Sequence, residues 1–153
     1  MIERVAEALP RGAAMGFFTR ELRSRGVRRG FAIHTLDGET AVLAETRGSG
    51  PRVGRYRVRR EALDEVAVPS LAFRARNRLV VVDEIGKMEV LSPKFCAAVR
   101  TALDGRVSVL ATIARSGGGF IAEVRSRDDV TIVEVAPANR DALPGDLLRR
   151  LGF

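Results

Sequence analysis

The chain holds one cysteine, one histidine, one tyrosine and no tryptophan in 153 residues. A single thiol, Cys96, rules out an internal disulfide and a cysteine-rich metal centre. It falls at an apolar position of an amphipathic stretch, where an inert buried thiol is expected. The only histidine, His34, sits in a strand pattern without a second metal-type partner nearby, so zinc chemistry and a Ser-His-Asp relay have little to build on. No run reaches the ~20 apolar residues of a membrane span. No apolar signal-peptide core opens the chain, and the expected location is the cytoplasm, with no membrane partner.

What is present suits one globular domain spanning residues 1–153: 46% apolar and 29% charged residues. The net charge of +7 comes almost wholly from arginine, Lys87 and Lys94 being the only lysines. Arginines cluster at Arg20, Arg23, Arg25, Arg28 and Arg29, and again at Arg47, Arg52, Arg55, Arg57, Arg59 and Arg60. Such runs can neutralise the phosphates of a nucleic acid or of a bound nucleotide. With little aromatic interleaving and no nucleic-acid-binding motif, a solvated basic face or a triphosphate pocket is the better reading.

The chain is organised around Arg78–Glu89, RLVVVDEIGKME. Four consecutive aliphatic residues read as a strand buried on both faces, as in the middle of a parallel sheet. It runs into Asp83 and Glu84 and then Gly86. In open α/β sheets ligands sit outside the carboxyl ends of the strands, which is where these two acids fall. Adjacent acids after an aliphatic strand match the second acidic motif of P-loop NTPases, where one carboxylate holds Mg²⁺ and the next polarises the attacking water. A strand ending in solvated acids at a turn fits the same residues equally well.

In chain order, Met1–Leu9 has helical spacing. Ala14–Leu22 and Val27–Leu36 read as strands, and Asp37-Gly38 is a hairpin signal before Glu39–Glu45. Arg47–Arg55 is a Gly/Pro-rich loop, Tyr56–Val58 a brief extended piece, and helices are predicted at about Arg60–Val66 and after Pro69. Ser92-Pro93 offers an N-cap with proline at the first helical position, predicting a helix over Pro93–Leu103. Val107–Ile113 is a second buried strand ending near Thr112. Phe120–Arg125 reads as a helix, Val130–Val135 as a third strand, and Pro144–Leu151 as a closing helix. The fold class is therefore α/β: a parallel sheet flanked by helices, with a small antiparallel β unit near the N-terminus.

Four stretches carry a family resemblance: GFFTRELRSRGVRRGF (Gly16–Phe31), PRVGRY (Pro51–Tyr56), VVVDEIGKMEVLSPKF (Val80–Phe95) and SRDDV with APANRDALP (Ser126–Pro144). Together, in unbroken order, they resemble the P-loop nucleoside-triphosphatase family that includes a thermophile enzyme and the human cancer-related one. The resemblance implies Mg²⁺-dependent hydrolysis of nucleoside triphosphates such as ATP and GTP. It implies Asp83 as metal ligand, Glu84 as the residue acting on water, and Thr112 as a γ-phosphate sensor. It also places Asn139 and Arg140 near the base. Arg23, Arg29 and Arg55 are the candidate phosphate contacts, with Arg23 and Arg55 put first.

One departure qualifies this. No G-x-x-x-x-G-K-[ST] occurs: Gly86-Lys87 lacks the earlier glycine and has Met88 where Ser or Thr is required. The first strand and phosphate loop of the family pattern are thus missing, and Met1–Leu9 resembles the helix just beyond them. Without loop amides, lysine and hydroxyl, this chain is expected to hydrolyse nucleotide scarcely, if at all. The leading expectation is a family NTPase truncated at its start. The alternatives are a non-catalytic nucleotide-binding relative and an RNA-binding accessory protein. In the truncated reading, Val107–Ile113 and Val130–Val135 lack a shared neighbour and a gap separates them.

Overall fold

The computed structural model describes residues 1–72 and 77–153. Its strands are β1 (Ala14–Ser24), β2 (Val27–Thr35), β3 (Thr40–Glu45), β4 (Arg52–Val53), β5 (Tyr56–Val58), β6 (Leu79–Ile85) and β7 (Ser108–Ile113). They form one seven-stranded sheet in the order β4-β5-β3-β2-β1-β6-β7. β1 joins two pairing regimes. It runs parallel to β6, with Ala14 opposite Leu79 and Phe17 opposite Val82, and antiparallel to β2. The antiparallel unit is therefore continuous with the parallel sheet. Gly16 makes the seam: at φ +113°, a Cβ there would lie 1.9 Å from the Val81 carbonyl oxygen, so only glycine allows this close approach.

The helices are α1 (Ile2–Ala8), α2 (Arg60–Ala62), α3 (Val68–Ser70), α4 (Pro93–Leu103), α5 (Phe120–Arg125) and α6 (Leu143–Arg150). A π-helical stretch, Leu63–Ala67, joins α2 to α3 without a break, so Pro69 lies inside this run. Of the short helix expected after Pro69, the described residues show only Ser70, the last residue of α3, and residues 73–76 lie outside the description. Ser92 caps α4 as its residue type predicts: its hydroxyl oxygen accepts from the Phe95 N–H at 3.0 Å and its proton goes to Asp64.

β6 is buried on both faces because helices cover both. Val80 and Val82 join Phe17, Phe95, Val99 and Ile121 in the larger core cluster. Leu79 and Val81 join Ile2 on the other side, against Leu110, Leu151 and Phe153. Each of these four side chains, buried at 1% exposure or less, contributes ~1.5–3 kcal/mol of transfer free energy.

One expected strand does not form. Residues Val130–Val135 have apolar strand character but pair with no strand. Ile132, Val133 and Val135 are 43%, 38% and 48% exposed. The pattern reports a preference for burial, whereas a strand also needs a neighbour to accept its ladder hydrogen bonds, and among the described residues none pairs with it. The segment instead forms one wall of a cleft of about 830 Å³ whose other wall is the outer edge of β7. Leu143, Leu147 and Leu151 also line it.

Candidate active site

The site is built at the carboxyl end of β6. Against β7, Val82 pairs with Ala111 and Ile85 with Ile113, so β6 spends one more residue than its partner over this interval. That extra residue is a bulge, a device that re-aims side chains at strand ends. Asp83 and Glu84 occupy it, and the peptide joining them is cis. Asp83 turns inward and Glu84 is exposed.

Asp83 is held from two strands. The Thr112 hydroxyl, on β7, donates to its Oδ1, and the Thr19 backbone N–H, on β1, donates to its carboxylate. Burial pushes the Asp83 carboxyl above its ordinary range; those two donors and the Met1 amino group pull the other way and lose. The first turn of α1 therefore lies near Asp83. Partial withdrawal from water, and then the neighbouring Asp83, raise Glu84.

A third carboxyl belongs to the same centre. Glu89, which opens the single 3₁₀ turn Glu89–Leu91, is 4% exposed. Its carboxylate accepts from its own N–H and from that of Gly86. Burial, with Glu84 and Asp83 adding to it, lifts it to about 8. In the sequence, Glu89 closes the stretch RLVVVDEIGKME with no role of its own assigned to it. The spacing offers only a weak signal: the acid three residues after Gly86 takes the Gly86 N–H, but Gly86 lacks the hydroxyl with which a capping box begins.

Among the expected site residues, Asp83, Glu84 and Thr112 are thus together. Arg23 is not beside them. It lies six residues beyond Phe17, the partner of Val82, while β6 ends three residues beyond Val82, so a strand rise of ~3.3 Å per residue carries it roughly 10 Å past the end of β6. There it pairs with Glu21 at 2.6 Å and donates to the Gly26 carbonyl at 3.0 Å. Arg55 is at the far side of the sheet, donating to the Tyr56 hydroxyl and the Arg28 carbonyl, both at 3.1 Å. Its guanidinium lies 5.2 Å from the Tyr56 ring centroid. Asn139 closes a turn: its Oδ1 accepts from the Ala136 N–H and its Nδ2 donates to the Glu134 carbonyl, both at 2.8 Å. Arg140 is exposed beside it. The cleft between β7 and Val130–Val135 reaches Thr112, the partner of Asp83, which lines it.

Fold and site define an α/β protein of the P-loop NTPase type. The family model described as NTPase matches residues 1–148, and the chain belongs to that family. The nucleoside-triphosphatase THEP1 of Thermotoga petrophila is 46% identical over 143 residues, spanning 92% of this chain and 79% of the relative. The cancer-related nucleoside-triphosphatase homolog of Mus musculus is 35% identical over 149 residues, spanning 87% and 78%. The crystal structure of THEP1 from the hyperthermophile Aquifex aeolicus superposes with a TM-score of 0.89 at 33% identity, covering 99% of this chain and 91% of that one. The solution structure of a human cancer-related nucleoside triphosphatase gives 0.81 at 33% identity, covering 99% and 89%.

Proposed function

We propose that the chain hydrolyses nucleoside triphosphates and that β6 supplies the metal- and water-handling half of the site. The observation that carries this is the bulge at Asp83-Glu84, which splits two adjacent acids into an inward carboxylate fixed by Thr112 and an outward one open to water. Asp83 and Thr112 offer only oxygen donors, the chemistry Mg²⁺ takes when it binds through one or two carboxylates and substrate phosphates. Mg²⁺ would be held by Asp83, directly or through water, and would offset negative charge on the phosphate oxygens. Glu84 orients a water towards the γ-phosphorus and takes its proton as the new P–O bond forms. The bond to the β–γ bridging oxygen breaks, leaving a nucleoside diphosphate and phosphate. Thr112 keeps Asp83 charged and oriented.

Asn139 and Arg140 are proposed nucleotide contacts, supported by the family pattern and by the exposure of Arg140. Arg23 and Arg55, with partners of their own, are the weaker candidates. No base is selected by any group described, so ATP and GTP are both proposed substrates. Lacking a G-x-x-x-x-G-K-[ST] loop, these 153 residues should turn over slowly. The test is phosphate release from each nucleotide with and without Mg²⁺. Release should need the metal, and Glu84→Gln should cut it by about 10²–10⁴-fold, the range for loss of a general base. Metal-independent release, or a Glu84→Gln rate equal to the wild type, overturns the assignment.

A further inference from the structure

Gly86 sits between two acids. A Cβ built on it would lie 2.2 Å from Glu84 Oε1 and 2.8 Å from Glu89 Oε2, so both carboxyl groups close over the same glycine. A side chain there would have to push both carboxyl groups aside. The turn beneath is tied by the Val90 N–H donating to the Gly86 carbonyl at 3.1 Å and by the Gly86 N–H donating to the Glu89 carboxylate.

We propose that Glu89 is a positioning residue, whose buried carboxyl donates a hydrogen bond to Glu84 and holds that side chain over Gly86 at the mouth of the site.

Two carboxylates in this position would repel, and Glu89 is shut away from the water that would screen it. No cation relieves it among the described residues. The charges that act on it are Glu84 and Asp83, both on β6 and both negative. α4 packs on the same turn, but Lys94 lies 3.9 Å from Asp64 and Arg100 bonds Glu123 at 2.8 Å. The Cys96 thiol faces the Val90 carbonyl. Lys87, in the turn itself, is exposed. Carrying a proton is the way Glu89 avoids the repulsion, as its lift to about 8 agrees. Its two backbone contacts are donors, so the proton is left for an acceptor, and Glu84 Oε1 lies across Gly86 from it. One Glu84 oxygen is then occupied and the other is presented to water. A capping acid alone would tie the turn and leave Glu84 untouched.

The reference to water rests on the function proposed above; the positioning does not, and its test uses no nucleotide. In the 153-residue chain with ¹³C-labelled glutamate, the Glu89 carboxyl carbon should give the neutral-acid signal at pH 6.5. A contact between the Glu84 γ-protons and the Gly86 α-protons should appear in the nuclear Overhauser spectrum. Glu89→Gln keeps a donor and should keep that contact at wild-type intensity. Glu89→Met fills the same buried space without a donor, and should lose at least half of it while the rest of the spectrum stays folded. An ionised Glu89 signal at pH 6.5, or a contact undiminished in Glu89→Met, overturns the proposal. Absence of hydrolysis would overturn the function alone.

Discussion

Thr112 on β7 donates its hydroxyl proton to Asp83 on β6, across the seam at which the register of the two strands breaks. The Asp83 carboxyl is raised by burial and depends on this donor to stay charged. Thr112→Val removes the donor at nearly constant volume and leaves a buried carboxylate short of one partner, which costs ~1–3 kcal/mol. Thr112→Ser restores the hydroxyl and should recover most of it. Thermal melts at pH 7 read the difference; a Thr112→Val melt equal to the wild type would show that the hydroxyl is dispensable.

Glu89 predicts the pH dependence of stability. Its carboxyl is raised in the folded protein, to about 8, so the folded state binds that proton more tightly than the unfolded chain. Stability from this group is full below the ordinary carboxylate range of ~4.3 and declines as pH rises through 8, by at most ~1.4 kcal/mol per pH unit. Glu89→Gln cannot lose a proton. Its melting temperature should therefore exceed the wild type's at pH 9 by more than at pH 5. Parallel curves across that interval would mean Glu89 titrates normally.

Arg55 and Arg140 separate structural from nucleotide-binding roles. Arg55 is spent on the Tyr56 hydroxyl, the Tyr56 ring and the Arg28 carbonyl. Arg55→Ala should lower the melt by the ~0.5–1.5 kcal/mol of one or two hydrogen bonds and leave nucleotide affinity within a factor of two. Arg140 is exposed. Arg140→Ala should leave the melt within ~0.5 kcal/mol and weaken nucleotide binding several-fold. Fluorescent-nucleotide titration of both variants distinguishes the cases. Weaker binding in Arg55→Ala would reinstate it as a phosphate contact.

The sequence was legible where local chemistry decides structure. The bounds of α4 follow from Ser92 as N-cap and Pro93 at the first position, and those of α5 from the apolar spacing of Phe120–Arg125. β6 was legible because four aliphatics in a row need cover on both faces. What escaped was set by neighbours. The bulge at Asp83-Glu84 exists only relative to β7, and Gly16 matters because Val81 lies against it. Glu89 looks like any acid near a turn until α4 and β6 bury it. Arg23 and Arg55 shared a sequence neighbourhood with the resemblance motifs, yet the length of β1 and the strand order carry them away from Asp83.

The cleft beside β7 makes the last prediction. Among the described residues β7 is one of the two edge strands of the sheet, and the segment facing it exposes Ile132, Val133 and Val135 at 43%, 38% and 48%. An unpaired strand edge next to exposed apolar side chains is a template for pairing with another chain. Arg115 and Glu134 approach at 3.5 Å but are 88% and 72% exposed, so this ion pair adds little protection. Light scattering should therefore rise with protein concentration, and alternate β7 amides should exchange with solvent faster than those of β6. Ile132→Lys and Val135→Lys place charge on that surface at positions already about half exposed. They should suppress the scattering while changing stability by no more than ~0.5 kcal/mol. A chain that stays monodisperse in the wild type, with β7 amides protected as strongly as those of β6, would show that this edge is covered in solution.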